Sequence, residues 1–157
     1  MSEVMSNEMA AAMSAMPPVD IEAEKAVLGA MMKSDDAVSD VIDVLRADDF
    51  YEKAHQEIFK VMVELYRKSV GIDIMTTYSA LNEMKLTELV GGMTYLSKLV
   101  NDVIVASNAK FYAESVLAKS RMRALIKEAD AIRGKATEPG ETAEDVLDFA
   151  EQRIFEI

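Results

Sequence analysis

Residues Pro17–Met32 read PPVDIEAEKAVLGAMM and contain a helix start followed at once by an apolar helix. The two prolines interrupt any preceding helix, and Asp20 can cap the next one through its side-chain oxygen. Glu22 and Glu24 then place negative charge beside the unpaired amides of the first turn. Gly29 lies inside this helix, where glycine costs about 1 kcal/mol relative to alanine. We therefore expect another helix to approach closely at Gly29.

Along the rest of the chain, apolar residues recur at helical spacing, which predicts an all-α protein. The predicted helices span residues 20–33, 35–46, 50–69, 75–85, 92–101, 107–133 and 142–157. Asp49 with Glu52 is a predicted capping pair for the third of these helices, and Thr142 with Asp145 for the last. The only run of strand-like composition, Ile72–Thr77, is too short to build a sheet.

Three segments are predicted along the chain. Residues 1–16 form a flexible N-terminal tail, 17–106 a compact helical head, and 107–157 a two-helix antiparallel hairpin. The tail carries methionines at four-residue spacing, which leaves a helical docking stripe open as an alternative. A terminus without caps favours a mobile tail. The methionines in question are Met1, Met5, Met9 and Met13.

Both helices of the predicted hairpin carry an apolar stripe. Residues on the first helix step by four and three, as in a coiled coil, and a turn-rich stretch, GKATEPG at 134–140, folds the second helix back. A hairpin of this kind must lie on the head or pack against another chain. The candidates for self-association are Phe111, Ala118, Met122, Leu125, Ala129, Val146, Ala150 and Ile154.

The composition fits one domain of 157 residues with a substantial core. The sequence has no cysteine, which excludes disulfides, thiolate metal sites and a cysteine nucleophile. No apolar run approaches the roughly 20 residues of a membrane span, and the first sixteen residues lack a signal-peptide pattern. The net charge is −11, from 17 basic and 28 acidic residues. Because an acidic surface repels phosphates, we expect no direct binding of nucleic acid.

We find no constellation of residues that predicts catalysis or metal binding. His55 is the only histidine and has no second ligand at helical spacing, so a hydrogen-bonded packing role is favoured over that of a base. The adjacent acidic pairs at 35–36 and 48–49 point apart on a helix, which favours capping over metal binding. One basic cluster lacks interleaved aromatic residues, which favours a solvated face or protein contact over nucleic acid. Its residues are Lys119, Arg121, Arg123 and Lys127.

Several motifs in order along the chain resemble those of one protein family. They begin with PPVDIEAEKAVLGAMM and continue with Asp49-Phe50-Tyr51 followed by HQxIF from His55, the turn GGMTYL from Gly91, Asn108 with Tyr112-Ala113 and Val116, and ExxIF from Glu151. In this order they resemble the N-terminal domain of the bacterial DnaB-family replicative DNA helicases. The match covers residues 17–157. Two prolines usual in the family, before Asp73 and before Ser107, are absent.

The resemblance implies a non-catalytic collar domain that assembles a helicase ring and docks primase in the primosome. The family's ATPase motor, with its ATP and Mg, lies C-terminal to this region, and no GxxxxGK[ST] loop occurs in the sequence. We therefore expect a fragment that is not itself an enzyme and holds no cofactor. The alternative from the residues alone is a small helical DNA-binding domain, which the acidic balance disfavours.

The resemblance also implies partners and a location. The domains pair through their hairpins and form a dimer, or a trimer of dimers within a hexamer, in the bacterial cytoplasm at the replication fork. A DnaG-type primase docks through its C-terminal domain across the head of one subunit and the hairpin of a neighbour, and a helicase loader is a further candidate partner. No membrane partner is expected. The candidate primase-binding residues are Glu22, Tyr95, Ile126 and Ile132.

Overall fold

The computed structural model describes residues 16–157 and, before them, Glu3, Ser6, Asn7 and Met9. The predictions of a flexible tail over residues 1–16 and of its methionine stripe fall largely outside the described residues. Among the described residues no strand occurs, and the predicted all-α class is confirmed. The helices are α1 Ile21–Lys33, α2 Asp35–Ile42, α3 Lys53–Arg67, α4 Ile74–Glu83, α5 Thr87–Val90, α6 Gly92–Asp102, α7 Ala109–Thr137 and α8 Ala143–Phe155. Two 3₁₀ helices, Ala47–Asp49 and Ala106–Asn108, precede α3 and α7.

Side-chain caps begin four of the helices. Asp20 accepts a hydrogen bond from the Ala23 amide at the start of α1, at 3.0 Å. Ser34 does the same for α2, Asp73 for α4 and Thr142 for α8. The predicted cap at Thr142 is therefore confirmed, with the hydroxyl oxygen accepting from the Asp145 amide.

The predicted capping pair of Asp49 and Glu52 is wrong. The N-cap of α3 is Glu52, and its side chain makes no capping hydrogen bond. Asp49 instead ends the first 3₁₀ helix, where its carboxylate accepts from the Arg46 amide at 2.7 Å. The short 3₁₀ turn uses Asp49 before α3 begins, so the chain cannot present that side chain to the α3 amides.

The chain divides into two compact units. One is Asp20–Ser120, and the other is Arg121–Ile157 with the described residues up to Val19. The division falls within α7. The predicted boundary between head and hairpin, at residues 106 and 107, stays a prediction.

The core of the unit Asp20–Ser120 is built around α1. Val27, Leu28 and Met31 on this helix are fully buried. The rings of Phe50 and Phe59 lie 5.0 Å apart in the same core. Because α1 is apolar on most of its surface, it can pack against α2, α3 and α6 at once.

The predicted close approach at Gly29 is confirmed, and it comes from the end of α6. A Cβ atom at Gly29 would meet the Leu99 carbonyl oxygen and would lie 2.5 Å from Val103 Cγ2. Only glycine lets the two backbones come this close.

In the unit that contains α8, the second half of α7 and α8 form an antiparallel hairpin. Arg153 on α8 pairs with Glu128 on α7 at 3.4 Å, and Lys135 near the end of α7 pairs with Glu141 at 2.7 Å. The Phe149 ring lies beneath both cations, 5.0 Å from the Arg153 guanidinium carbon and 5.9 Å from Lys135 Nζ. Over residues 121–157, all of which the structure describes, no side chain is fully buried. Ion pairs and cation–π contacts therefore link the two helices of this hairpin without a fully buried core.

None of the described helices is by itself long and apolar enough to cross a membrane. One pair of segments, Thr87–Asp102 with Ala106–Thr137, meets the length and composition only when taken together, and it is bent by 90°.

Candidate functional site

A buried hydrogen-bond network joins three helices of the unit Asp20–Ser120. Glu24 on α1 and His55 on α3 are each 1% exposed, and His55 Nδ1 lies 2.8 Å from Glu24 Oε1. His55 Nε2 lies 2.6 Å from the hydroxyl of Tyr95 on α6, and the two rings stack at 6.0 Å. Glu24 also accepts from the amides of Tyr51 at 2.8 Å and Glu52 at 3.3 Å.

The backbone amides limit how this network can be bonded. The amides of Tyr51 and Glu52 can only donate, so Glu24 accepts from both, and it shares a third hydrogen bond with His55 Nδ1. Burial, followed by the negative charges of Glu52, Glu24 and Glu22, raises the pKa of Tyr95 above its usual range. The Tyr95 hydroxyl therefore keeps its proton and shares a hydrogen bond with His55 Nε2.

The network is structural in its chemistry. Both imidazole nitrogens are occupied by protein groups, which leaves His55 no nitrogen with which to accept a substrate's proton. The favoured interpretation of His55 as a hydrogen-bonded packing residue is confirmed. Within the described part of the chain, no group of three or more His, Cys, Asp or Glu side chains could hold a metal ion.

Sequence reasoning missed the role of Glu24. We assigned it to the first turn as a charge beside free amides, whereas it is buried and binds a partner 31 positions along the chain. A signal was present, because Glu24 lies three and four residues before Val27 and Leu28, on the face that packs into the core. A carboxylate on such a face needs buried donors.

Two of the four candidate primase-binding residues lie in the unit Asp20–Ser120. The side chain of Glu22 is 87% exposed, whereas Tyr95 is half-buried with its hydroxyl bonded to His55. The negative charge of Glu22 contributes to the raised pKa of Tyr95, which places the two side chains in the same part of this unit. An accessible acid beside a half-buried aromatic ring resembles the rim and anchor of a protein-binding surface.

The other two candidates lie on α7 after residue 120. Ile126 is 51% exposed and Ile132 is half-buried. Of the candidates for self-association, six are exposed and two, Val146 and Ala150, are half-buried. The six exposed residues are Phe111, Ala118, Met122, Leu125, Ala129 and Ile154. The side chains in the apolar stripe are thus largely available to a partner.

The basic cluster of α7 makes at least one contact with protein. Arg123 donates from Nη1 to the Pro18 carbonyl oxygen at 2.8 Å, which fits the favoured interpretation as a protein contact.

Comparisons with known proteins agree with one another. The family model described as "DnaB-like helicase N terminal domain" matches residues 16–118. The replicative DNA helicase DnaC of Bacillus subtilis (strain 168) is 39% identical over 142 residues, and the replicative DNA helicase DnaB of Geobacillus stearothermophilus is 37% identical over 145. Each match covers 90% of this chain and 31% of the relative. The chain therefore spans about a third of the length of these relatives.

A solved structure is also similar. The crystal structure of the N-terminal domain of DnaB helicase from Mycobacterium tuberculosis matches with a TM-score of 0.83 and 35% sequence identity. The match covers 90% of this chain and all of that one.

Proposed function

The chain belongs to the family of DnaB-like helicase N-terminal domains, and from that premise we propose that it is the non-catalytic collar of a replicative DNA helicase, which assembles the helicase ring and docks primase. The proposal places ATP hydrolysis, with ATP and Mg, in a motor domain of the parent protein. It places the protein in the bacterial cytoplasm at the replication fork, since the relatives are bacterial replicative helicases.

The observation that carries the assembly role is the unburied hairpin. Met122, Leu125 and Ile154 are each between 44% and 55% exposed, and no residue over 121–157 is fully buried. Exposed apolar side chains grouped on one part of a monomer mark an interaction site. Pairing with the same stripe of a second copy would bury both and give a dimer with two-fold symmetry, three of which complete a hexamer.

Multi-angle light scattering over a range of protein concentrations tests the assembly role. We expect wild-type mass to rise to a dimer or above, and Leu125→Gln to shift this transition about tenfold in concentration, because a polar side chain in the interface lowers the affinity. Lys127→Gln is the matched control, since Lys127 is an exposed position off the stripe of the same helix. A wild-type protein that stays monomeric at every concentration would contradict the proposal.

Calorimetry with the C-terminal domain of a DnaG-type primase tests the docking role. Ile126→Ala should weaken binding by about tenfold, because it truncates an exposed aliphatic anchor without opening the core. Tyr95→Ala should weaken it as well, although it also removes the partner of His55, so its melting temperature must be measured beside the affinity. Met75→Ala is the control, since Met75 is 66% exposed on α4 and is not a candidate.

Two outcomes would decide against this docking surface. Wild-type affinity in both variants would place the primase site elsewhere. Equal weakening by Met75→Ala would show that any exposed apolar truncation has the same effect.

A further inference from the structure

A groove with an apolar floor lies on the unit Asp20–Ser120, between the end of α2, the first 3₁₀ helix and α3. Its volume is about 490 Å³. Leu45 and Phe59 in its floor are buried, and Ile42 and Val63 are half-buried. A floor of this size and composition accommodates one or two apolar side chains of a ligand.

The rim of this groove is basic, although the chain as a whole carries a charge of −11. Lys60 and Arg67 line it from the same face of α3, nearly two turns apart, with Glu64 between them. Arg46 lines it from the start of the 3₁₀ helix. All four rim side chains are solvent-exposed.

Two of the rim cations make no ion pair with the described acidic residues. Lys60 pairs with Glu57 at 3.3 Å, and Glu64 with Lys68 at 3.6 Å, so their charges are partly offset. Within the described part of the chain, no ion pair involves Arg46 or Arg67. A guanidinium presents a planar fork of donors that matches a carboxylate in a bidentate geometry.

We propose that this groove binds an acidic peptide segment of a partner protein, with an apolar side chain of the peptide on the floor and its carboxylates on Arg46 and Arg67. The floor favours a peptide over a nucleic acid, because its side chains are mostly aliphatic and its one aromatic ring, Phe59, is buried, so that bases find no exposed ring on which to stack. The negative charge of the rest of the chain repels a long polyanion, whereas a short acidic segment interacts mainly with the local rim.

Selection from a random peptide library displayed on phage tests the proposal. The baits are the wild-type chain and the double variant Arg46→Glu with Arg67→Glu. We expect the wild type to enrich peptides that combine several Asp or Glu residues with a large apolar residue. The best of these, synthesised with a fluorescent label, should bind the double variant at least about tenfold more weakly in fluorescence anisotropy, since two attractions become repulsions.

A second double variant separates the groove from the overall charge. Lys98→Glu with Lys110→Glu changes the net charge by the same amount at exposed positions outside the groove, and we expect the selected peptide to bind it with less than a threefold loss. Light scattering should show the same mass for the groove variant and the wild type.

Four results would overturn the proposal. They are enriched peptides without acidic residues, equal loss of binding in both double variants, tighter binding of an oligo(dT) strand than of the selected peptide, and a change of mass in the groove variant. The third would make the groove a nucleic-acid site, and the fourth an interface between copies of this chain.

Discussion

At the scale of single residues, Gly29 fixes how closely α1 and the end of α6 approach. Gly29→Ala should destabilise the protein by about 1–3 kcal/mol, because the new methyl group meets the Leu99 backbone carbonyl, which cannot rotate away as a side chain would. The gain in helix propensity, about 1 kcal/mol, is too small to offset this overpacking. Urea unfolding followed by circular dichroism measures the difference.

The matched control for this substitution is Gly134→Ala. Gly134 also lies inside a helix, α7, but a Cβ atom there would meet nothing within 4 Å. This variant should gain up to about 1 kcal/mol of stability from propensity alone. If both variants gained stability, the close approach at Gly29 would have no energetic consequence.

Glu57 links the stability of α3 to pH. The hydrogen bond from Lys53 lowers the pKa of Glu57 below 4.5, with a further contribution from Lys60, against an opposing effect of burial. Because the folded-state pKa is the lower one, the stabilisation is present above pH 4.5 and is lost as the pH falls through the folded-state pKa. Glu57→Gln should therefore be less stable than wild type at pH 7, and the difference should shrink as the pH falls from 7 through the folded-state pKa of Glu57.

Thermal melts across this pH range test the link. Glu64→Gln is the control, since the Glu64 pair with Lys68 at 3.6 Å is exposed on both sides and contributes at most about 1 kcal/mol. A constant difference between wild type and Glu57→Gln from pH 7 to pH 3 would show that the carboxylate acts through packing and not through its charge.

At the scale of elements, the start of α1 is tied to α7 through Asp20. One carboxylate oxygen caps α1, and the other accepts from the Ser115 hydroxyl at 2.6 Å. Asp20→Ala should cost about 1–3 kcal/mol, from the lost cap and the lost bond, whereas Ser115→Ala should cost about 1 kcal/mol. The double variant should then cost less than the sum of the two, by at least about 0.5 kcal/mol.

A cap without a long-range partner provides the comparison. Asp73 caps α4 by accepting a hydrogen bond from the Thr76 amide, and the Thr76 hydroxyl oxygen accepts from the Asp73 amide. Both bonds lie within one exposed turn. Asp73→Ala should cost about 1 kcal/mol, as an isolated cap does. Equal losses for Asp20→Ala and Asp73→Ala, with additive Asp20 and Ser115 substitutions, would mean that the tie to α7 contributes nothing.

Helix positions could be predicted from sequence where local signals set them. α1, α6 and α8 begin and end within two residues of the prediction, because caps, glycines and prolines act within a turn. α5, Thr87–Val90, was missed, since four residues are too few to show a helical period. Asp49 was misassigned because a 3₁₀ turn and an α-helix start use the same residue types, and the sequence does not distinguish them.

The buried network was beyond the reach of local patterns. His55 could be recognised as a packing residue from its place on the apolar face of α3. Its two partners, Glu24 and Tyr95, lie 31 and 40 positions away, and only the folded arrangement of α1, α3 and α6 brings them together. The sequence did not predict the basic groove for the same reason, because Arg46 and Arg67 lie on different elements.

At the scale of the whole molecule, the two units differ in how they are stabilised. The unit Asp20–Ser120 has a buried core, whereas residues 121–157 have none. In hydrogen exchange followed by mass spectrometry, we expect slow exchange in α1 and α3 at every protein concentration. Exchange over residues 121–137 and in α8 should be fast in dilute solution and at least about tenfold slower where the protein self-associates.

The contrast between the two units bears on whether the hairpin needs a second copy of the chain for its stability. Strong protection of α8 that does not change with concentration would mean that the hairpin is stable without a second copy. The all-α class and the antiparallel hairpin followed from periodicity and one turn. The surface that a partner covers does not follow from periodicity, because an apolar stripe looks the same whichever chain packs on it.

The buried carboxylate of Glu24 has a consequence for how the chain finds its fold. The surface of α1 is formed mainly by Ala, Met, Val and Leu side chains, which pack in many ways. Apolar contact alone would therefore let α1 dock in several rotations or registers at similar free energy. In any such arrangement the Glu24 carboxylate would be buried without its partners, which are the amides of Tyr51 and Glu52 and the His55 ring. Burial without these hydrogen bonds costs several kcal/mol. The charge thus discriminates against the wrong partners more than it strengthens the right ones. We expect Glu24→Met to give a chain that collapses readily but samples several packings of its first helix.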